Sequence, residues 1–141
     1  MSEPPIKFAT KIAIVIRSDL EPWQKLNVAA FLSSGIAAAF PAAIGATYED
    51  ASGTHYHALL GEPILIYGAD RTALARALDR AIARNVKAAL YTEEMFATTH
   101  DAANRAAVKG VLRPALNLVG LAFRAERKLI DKIVNGLTFH A

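Results

Sequence analysis

The chain has 141 residues, of which 53% are hydrophobic and 21% charged, with a formal net charge of +3 and no cysteine. That is about one domain's worth, able to bury roughly two-thirds of the surface its unfolded form exposes, and the composition excludes a disordered chain. Without cysteine there is no disulfide scaffold, no Cys-ligated zinc or iron–sulfur centre and no thiol nucleophile, which agrees with a cytoplasmic location.

The N-terminal stretch MSEPPIKFAT lacks a basic segment followed by an apolar run, so no secretory signal is expected. Residues 1–8 read as a disordered tail on a single α/β domain that takes up the rest of residues 1–141. TKIAIVIR (10–17) is a continuous apolar, β-branched run, the pattern of a strand covered on both faces. RSDLEPWQKLN then concentrates charge where that strand surfaces, and a helix is expected from Trp23 to Phe40. Residues 28–46 carry no charge over 19 positions, about the length of a membrane span. Only Val28, Phe31, Leu32, Ile36, Phe40 and Ile44 are large and apolar there, and Pro41 breaks the chain, so the segment reads as a buried helix and no membrane partner is expected. Its apolar or small side chains run all round, more than one sheet contact covers, which predicts a homo-oligomer with a dimer favoured.

AIGATYED and THYHALLGEPILIYG read as two or three strands with a turn at DASG. Asp70 is placed to cap a helix running to about Asn85, with Leu74, Leu78 and Ile82 as its core stripe. VKAALYT (86–92) reads as a buried strand reached through that helix by a right-handed crossover, a parallel neighbour of the strand at 10–17. A helical region, EEMFATTHDAANRAAVKG, stops near Gly110; PALNLVGLAF is a further strand; RAERKLIDKIVNG is a last helix ended by Gly136. The alternation predicts a three-layer α/β/α sandwich with a mixed sheet of four to six strands.

In open α/β sheets ligands collect beyond the carboxyl ends of parallel strands. Two polar segments leave such ends: Arg17, Asp19, Trp23, Lys25 and Asn27 after the first strand, and Glu93, Glu94, Thr98, Thr99, His100, Asp101 and Asn104 after VKAAL. Their convergence predicts one cavity, lined partly by Trp23 and Phe96, with Lys25, His100 and Asp101 as catalytic groups. Arg17, Asp19, Trp23, Asn27, Glu93, Thr99 and Asn104 are expected to bind substrate. Lys25 would stabilise developing negative charge, and His100, held by Asp101 or Glu93, would move a proton. Taken singly, these residues also suit plainer roles, with Asp19 pairing Arg17 or Lys25 and Asp101 or Thr99 capping a helix.

His55 and His57 share a strand face, but a zinc centre needs at least three protein ligands and no third is evident, so neither metal nor other cofactor is expected. Arg76, Arg80 and Arg84 recur every fourth residue opposite the leucine stripe and read as a solvated face, with a phosphate-binding ladder as the alternative. Residues 1–69 hold four Lys/Arg and six Asp/Glu, whereas residues 70–141 hold twelve and seven, an asymmetry that permits a phosphate-rich partner. No glycine-rich phosphate loop of the common types and no nucleophile elbow occurs.

WQKLNVAAFLSSG, MFATTHDAANR and DKIVNGLTFHA, with VIRSDL before them, resemble an uncharacterised bacterial family that shares the fold of the archaeal and eukaryotic type of peptidyl-tRNA hydrolase. The resemblance runs from about residue 8 to the end and implies a peptidyl-tRNA hydrolase II-like sheet. It implies that Lys25 answers to a lysine of the hydrolase pattern, Glu93 or Glu94 to its acid and Thr98 or Thr99 to its hydroxyl. Asn27, Phe31 and Ser34 stand where those hydrolases carry lysine, glutamine and histidine. The expected function is a hydrolase acting on an ester or amide of a small-molecule or tRNA-linked substrate. The alternative is a non-catalytic module that holds a small anion or an RNA end.

Overall fold

In the computed structural model, which describes residues 7–141, the run from Thr10 to Arg17 is strand β1, and its five central residues are buried. A helix, α1 (Pro22–Ala39), follows; Pro22 supplies the fixed φ of a first turn, and Glu21 and Gln24 form a reciprocal capping box. A two-stranded arm of β2 (Tyr48–Glu49) and β3 (His55–Tyr56) stands outside the main sheet. The chain returns as β4 (Ile64–Ala69), α2 (Arg71–Ala83) and β5 (Ala89–Thr92). After a 3-10 turn at Glu93–Ala97 come α3 (Asp101–Lys109), β6 (Leu118–Glu126), α4 (Arg127–Ile133) and β7 (Thr138–Phe139).

The main sheet is mixed and five-stranded, in the order β5-β6-β1-β4-β7. β1 and β4 are parallel, whereas β6 runs antiparallel to both β1 and β5. Helices cover both faces. Val28, Leu32 and Ile36 of α1 pack on Ile12, Ile14, Ile16, Val119 and Ala122, and α2 and α4 cover Ala13, Val15, Leu121 and Phe123 on the other side. β1 sends alternate residues into these two layers, and β6 does the same from Gly120 onward, after an irregularity at Val119, so these central strands read as unbroken apolar runs.

Several expectations change. The strands at 10–17 and 86–92 are not neighbours, because β6 lies between them. Nine residues long, with its first six buried, β6 has the apolar length for a central place, and the shorter β5 is left at the edge. β5 is nonetheless parallel to β1, since both are antiparallel to β6. It begins at Ala89 rather than Val86, and its pairing with β6 shifts register between Tyr91 and Thr92. Asp70 caps α2 as expected, its Oδ1 accepting from the Ala73 amide at 2.8 Å, but Ile82 is exposed and Ala77 and Ala81 complete the buried stripe. The region 93–110 is split, with the 3-10 turn and α3 separated at residues 98–100. Arg124–Glu126 continue β6 instead of opening a helix, and β7 was not expected. No described helix is long and apolar enough to cross a membrane. The tail expected at residues 1–8 falls, for residues 1–6, outside the described residues.

Candidate functional site

The two polar segments do meet, but as two separate arrangements. The first is an ion network across the carboxyl ends of β1 and β5. Arg17 closes β1 with only 12% of its side chain exposed; its Nε donates to Asp19 Oδ1 at 2.6 Å and its Nη1 lies 3.5 Å from Glu93 Oε2. Glu93 spans the intervening strand by way of Asn117, which stands just before β6: Asn117 Nδ2 donates to Glu93 Oε2 at 2.8 Å, and the Glu93 amide donates to the Asn117 carbonyl at 2.9 Å. Arg71, in the first turn of α2, donates to Asn117 Oδ1 and lies 3.9 Å from Glu93. The hydrogen bond from Arg17, opposed by slight burial, holds the Asp19 carboxyl below its ordinary value. Two cations, two carboxylates and an amide thus neutralise one another, which suits the network to fixing loops more than to attracting a charged ligand.

The second arrangement is a groove between α1 and α3 with β5 as its floor. Trp23, Asn27 and Phe31 recur every fourth residue, so all three share one face of α1 and line it. Lys25 falls two positions away, on a different face, and is absent from the lining; it is half-buried nearer the stripe that continues as Val28 and Leu32. Opposite α1 stand Phe96, Thr98, Thr99, His100, Asp101 and Asn104, with Tyr91 and Met95 beneath. This part encloses about 400 Å³. A cavity of about 570 Å³ adjoins it through Phe31, Tyr91, Met95, Asp101 and Asn104 and extends along Leu32, Gly35, Ala89 and Leu90 to Val108 and Lys109.

Aromatic rings run through the groove as a chain. Trp23 meets Phe96 edge-on with centroids 5.7 Å apart, Phe96 lies 5.2 Å from Tyr91, and Tyr91 lies 5.8 Å from Phe31. Trp23 and Phe31 are 59% and 55% exposed, so the groove offers ring faces to solvent. Burial pushes the Tyr91 phenol up, and it stays neutral.

The polar rim is largely committed. His100 is the N-cap of α3, its Nδ1 accepting from the Ala103 amide at 3.2 Å, which assigns the proton of the neutral ring to Nε2. The Asp101 carboxylate pairs with Arg105 one turn on, not with His100. The Thr98 hydroxyl is within hydrogen-bond reach of the Met95 carbonyl at 3.0 Å and of Asn104 Oδ1. The expected imidazole–carboxylate pair is therefore absent among the described contacts, and a cap and an i,i+4 ion pair stand in its place.

Arg17, Asp19 and Glu93 thus belong to the network, and Trp23, Asn27, Thr99, His100, Asp101 and Asn104 to the groove. Sequence reasoning missed Arg71 and Asn117 in the first and Phe31, Tyr91 and Met95 in the second. Phe31 was within reach, because it continues the four-residue spacing of Trp23 and Asn27. On the outer arm, His55 Nε2 lies 3.2 Å from Glu49, and His57 is exposed.

Residues 10–141 match a family model described as "Protein of unknown function (DUF2000)". Among solved structures the chain is similar to a protein of unknown function from Agrobacterium tumefaciens str. C58. The two share 46% identity with a TM-score of 0.93, over 96% of this chain and all of that one. No functionally curated protein matches.

Proposed function

The chain belongs to the DUF2000 family, and we propose that it is a ligand-binding protein whose groove between α1 and α3 holds a small molecule with a flat, apolar body and a hydrogen-bonding end. One observation carries this reading: the chain Trp23–Phe96–Tyr91–Phe31 keeps two aromatic residues more than half exposed inside a concave site. Exposed rings in a cleft give a planar ligand apolar area and offset stacking, worth about 0.5–1.5 kcal/mol per ring pair beyond burial. Asn27, Thr99 and His100 Nε2 supply donors and acceptors at the rim, where they orient the polar end.

Trp23 is the only tryptophan, so its emission reports on the groove directly. Titration with 1-anilinonaphthalene-8-sulfonate, an anionic probe with a flat naphthalene ring, should quench Trp23 saturably with one site per chain, and Phe31→Ala should weaken that site about tenfold. Quenching that never saturates, or that Phe31→Ala leaves unchanged, argues against the groove.

Hydrolysis of an ester or amide is the second reading, favoured by the one ring nitrogen of His100 that the cap leaves unused. The order of elements supports placing the fold with the archaeal and eukaryotic type of peptidyl-tRNA hydrolase. An aminoacyl-ester assay in which His100→Ala abolishes turnover is its check. Self-association is supported by Leu26, 74% exposed on α1, and light scattering reads it.

A further inference from the structure

α2 and α4 lie against each other on the sheet face opposite α1, and a cavity of about 460 Å³ opens between them. Its lining is Arg80, Arg84, Lys128, Asp131, Lys132 and Asn135. We propose that this cavity binds a short linear oligophosphate.

Among the described residues the charge is uncompensated. Asp131, the one acid among the described lining residues, is taken by Lys11, whose Nζ lies 2.8 Å from Oδ1. Burial works against the Lys11 charge, but hydrogen bonds with Asp131 and Tyr67 outweigh it and hold the ammonium pKa above its ordinary value, so the pair stays closed. No described carboxylate pairs with Arg80, Arg84, Lys128 or Lys132.

The arginines are held in place by groups that do not neutralise them. Arg80 Nη1 donates to the Asn135 carbonyl at 2.9 Å and the Ile133 carbonyl at 3.4 Å, and Arg84 Nη1 donates to the Arg80 carbonyl at 3.0 Å. The remaining guanidinium donors are thereby oriented, and a planar fork matches phosphate oxygens two at a time. Helix-end chemistry accounts for Arg80, Arg84 and Lys132, which stand in or next to the last turns of their helices. It does not account for Lys128, which stands in the first turn of α4, the end where the macrodipole disfavours a cation.

Each helix presents two cations one turn apart, so Arg80 and Arg84 repel each other, as do Lys128 and Lys132. A ligand that relieves both pairs must carry several negative groups in a row. No aromatic residue lines the cavity, so recognition rests on the phosphates rather than on a stacked base. The site lies across the sheet from the α1–α3 groove and is independent of it.

The test is calorimetric titration of the whole protein with sodium tripolyphosphate at low ionic strength, repeated with a short oligouridylate. Lys128→Gln/Lys132→Gln removes two exposed cations that make no described side-chain contact, and should weaken tripolyphosphate about tenfold. Arg76→Gln/Lys87→Gln, outside the cavity and equal in charge change, should leave the affinity within about twofold. Raising salt should weaken wild-type binding, as it does for exposed charges. If oligouridylate displaces tripolyphosphate and shows the same sensitivity, the phosphate chain of a nucleic acid fills the site, and the proposal stands with that source. Absence of tripolyphosphate binding, or equal loss in the two double variants, overturns it.

Discussion

Glu62→Ala will lower the unfolding free energy by about 3 kcal/mol, a large share of the roughly 5–15 kcal/mol that holds a domain of this kind. Glu62 precedes β4 and its side chain is only 4% exposed. One carboxylate oxygen accepts from the Thr10 hydroxyl at 2.8 Å and the other pairs with Arg124 Nε; Arg124 Nη2 reaches Thr10 at 3.2 Å. Three segments far apart in the chain (the start of β1, the approach to β4 and the end of β6) are thus joined by one carboxylate. Removing it leaves the Arg124 guanidinium, 20% exposed and 5.0 Å from the Phe40 ring, without its counter-charge. Complete burial would place the loss nearer 5 kcal/mol; partial access of water brings it down. Urea unfolding measures it, with a lower midpoint at unchanged slope. Glu62→Leu/Arg124→Met, which removes both charges, should recover most of the loss. A single variant within about 0.5 kcal/mol of wild type would show the pair to be solvated after all.

Gly120→Ala will cost about 2–3 kcal/mol and will weaken probe binding in the groove at the same time. Gly120 lies on β6 under α1, where an added Cβ would meet Val28 Cγ1 at 2.6 Å and Leu32 Cδ1 at 2.9 Å. Leu32 can turn its terminal methyl aside, but β-branched Val28 has little χ1 freedom in a helix, so the helix itself must move. The wall that carries Trp23, Asn27 and Phe31 moves with it. Val28→Ala in the same chain makes room, and the double variant should be more stable than Gly120→Ala alone. Strict additivity of the two changes would show that they do not touch.

Local features were legible in the sequence and long-range ones were not. β1 was readable from end to end because a β-branched apolar run has one structural meaning, and Asp70 marked the start of α2 because its carboxylate has a specific amide to accept from. The continuation of β6 through Arg124 was hidden: a charged residue at a strand end is stable here only because Glu62, 62 residues earlier in the chain, lies beside it. Strand order was hidden in part: the apolar length of β6 suits a central strand, but nothing local says that it enters between β1 and β5. The groove was half legible. Polar residues after the strands pointed to the right region, but which of them face one another depends on helical phase. That phase sets Lys25 apart from Asn27, and it commits His100 to a cap and Asp101 to Arg105.

A ligand held in the α1–α3 groove, as we propose, will show itself in amide chemical-shift mapping by ¹⁵N NMR during addition of 1-anilinonaphthalene-8-sulfonate. Saturable shifts are expected to concentrate in α1 from Trp23 to Gly35, in β5, and in residues 95–109. Shifts centred on the β2–β3 arm or on α2 and α4, with the groove amides unmoved, would contradict it.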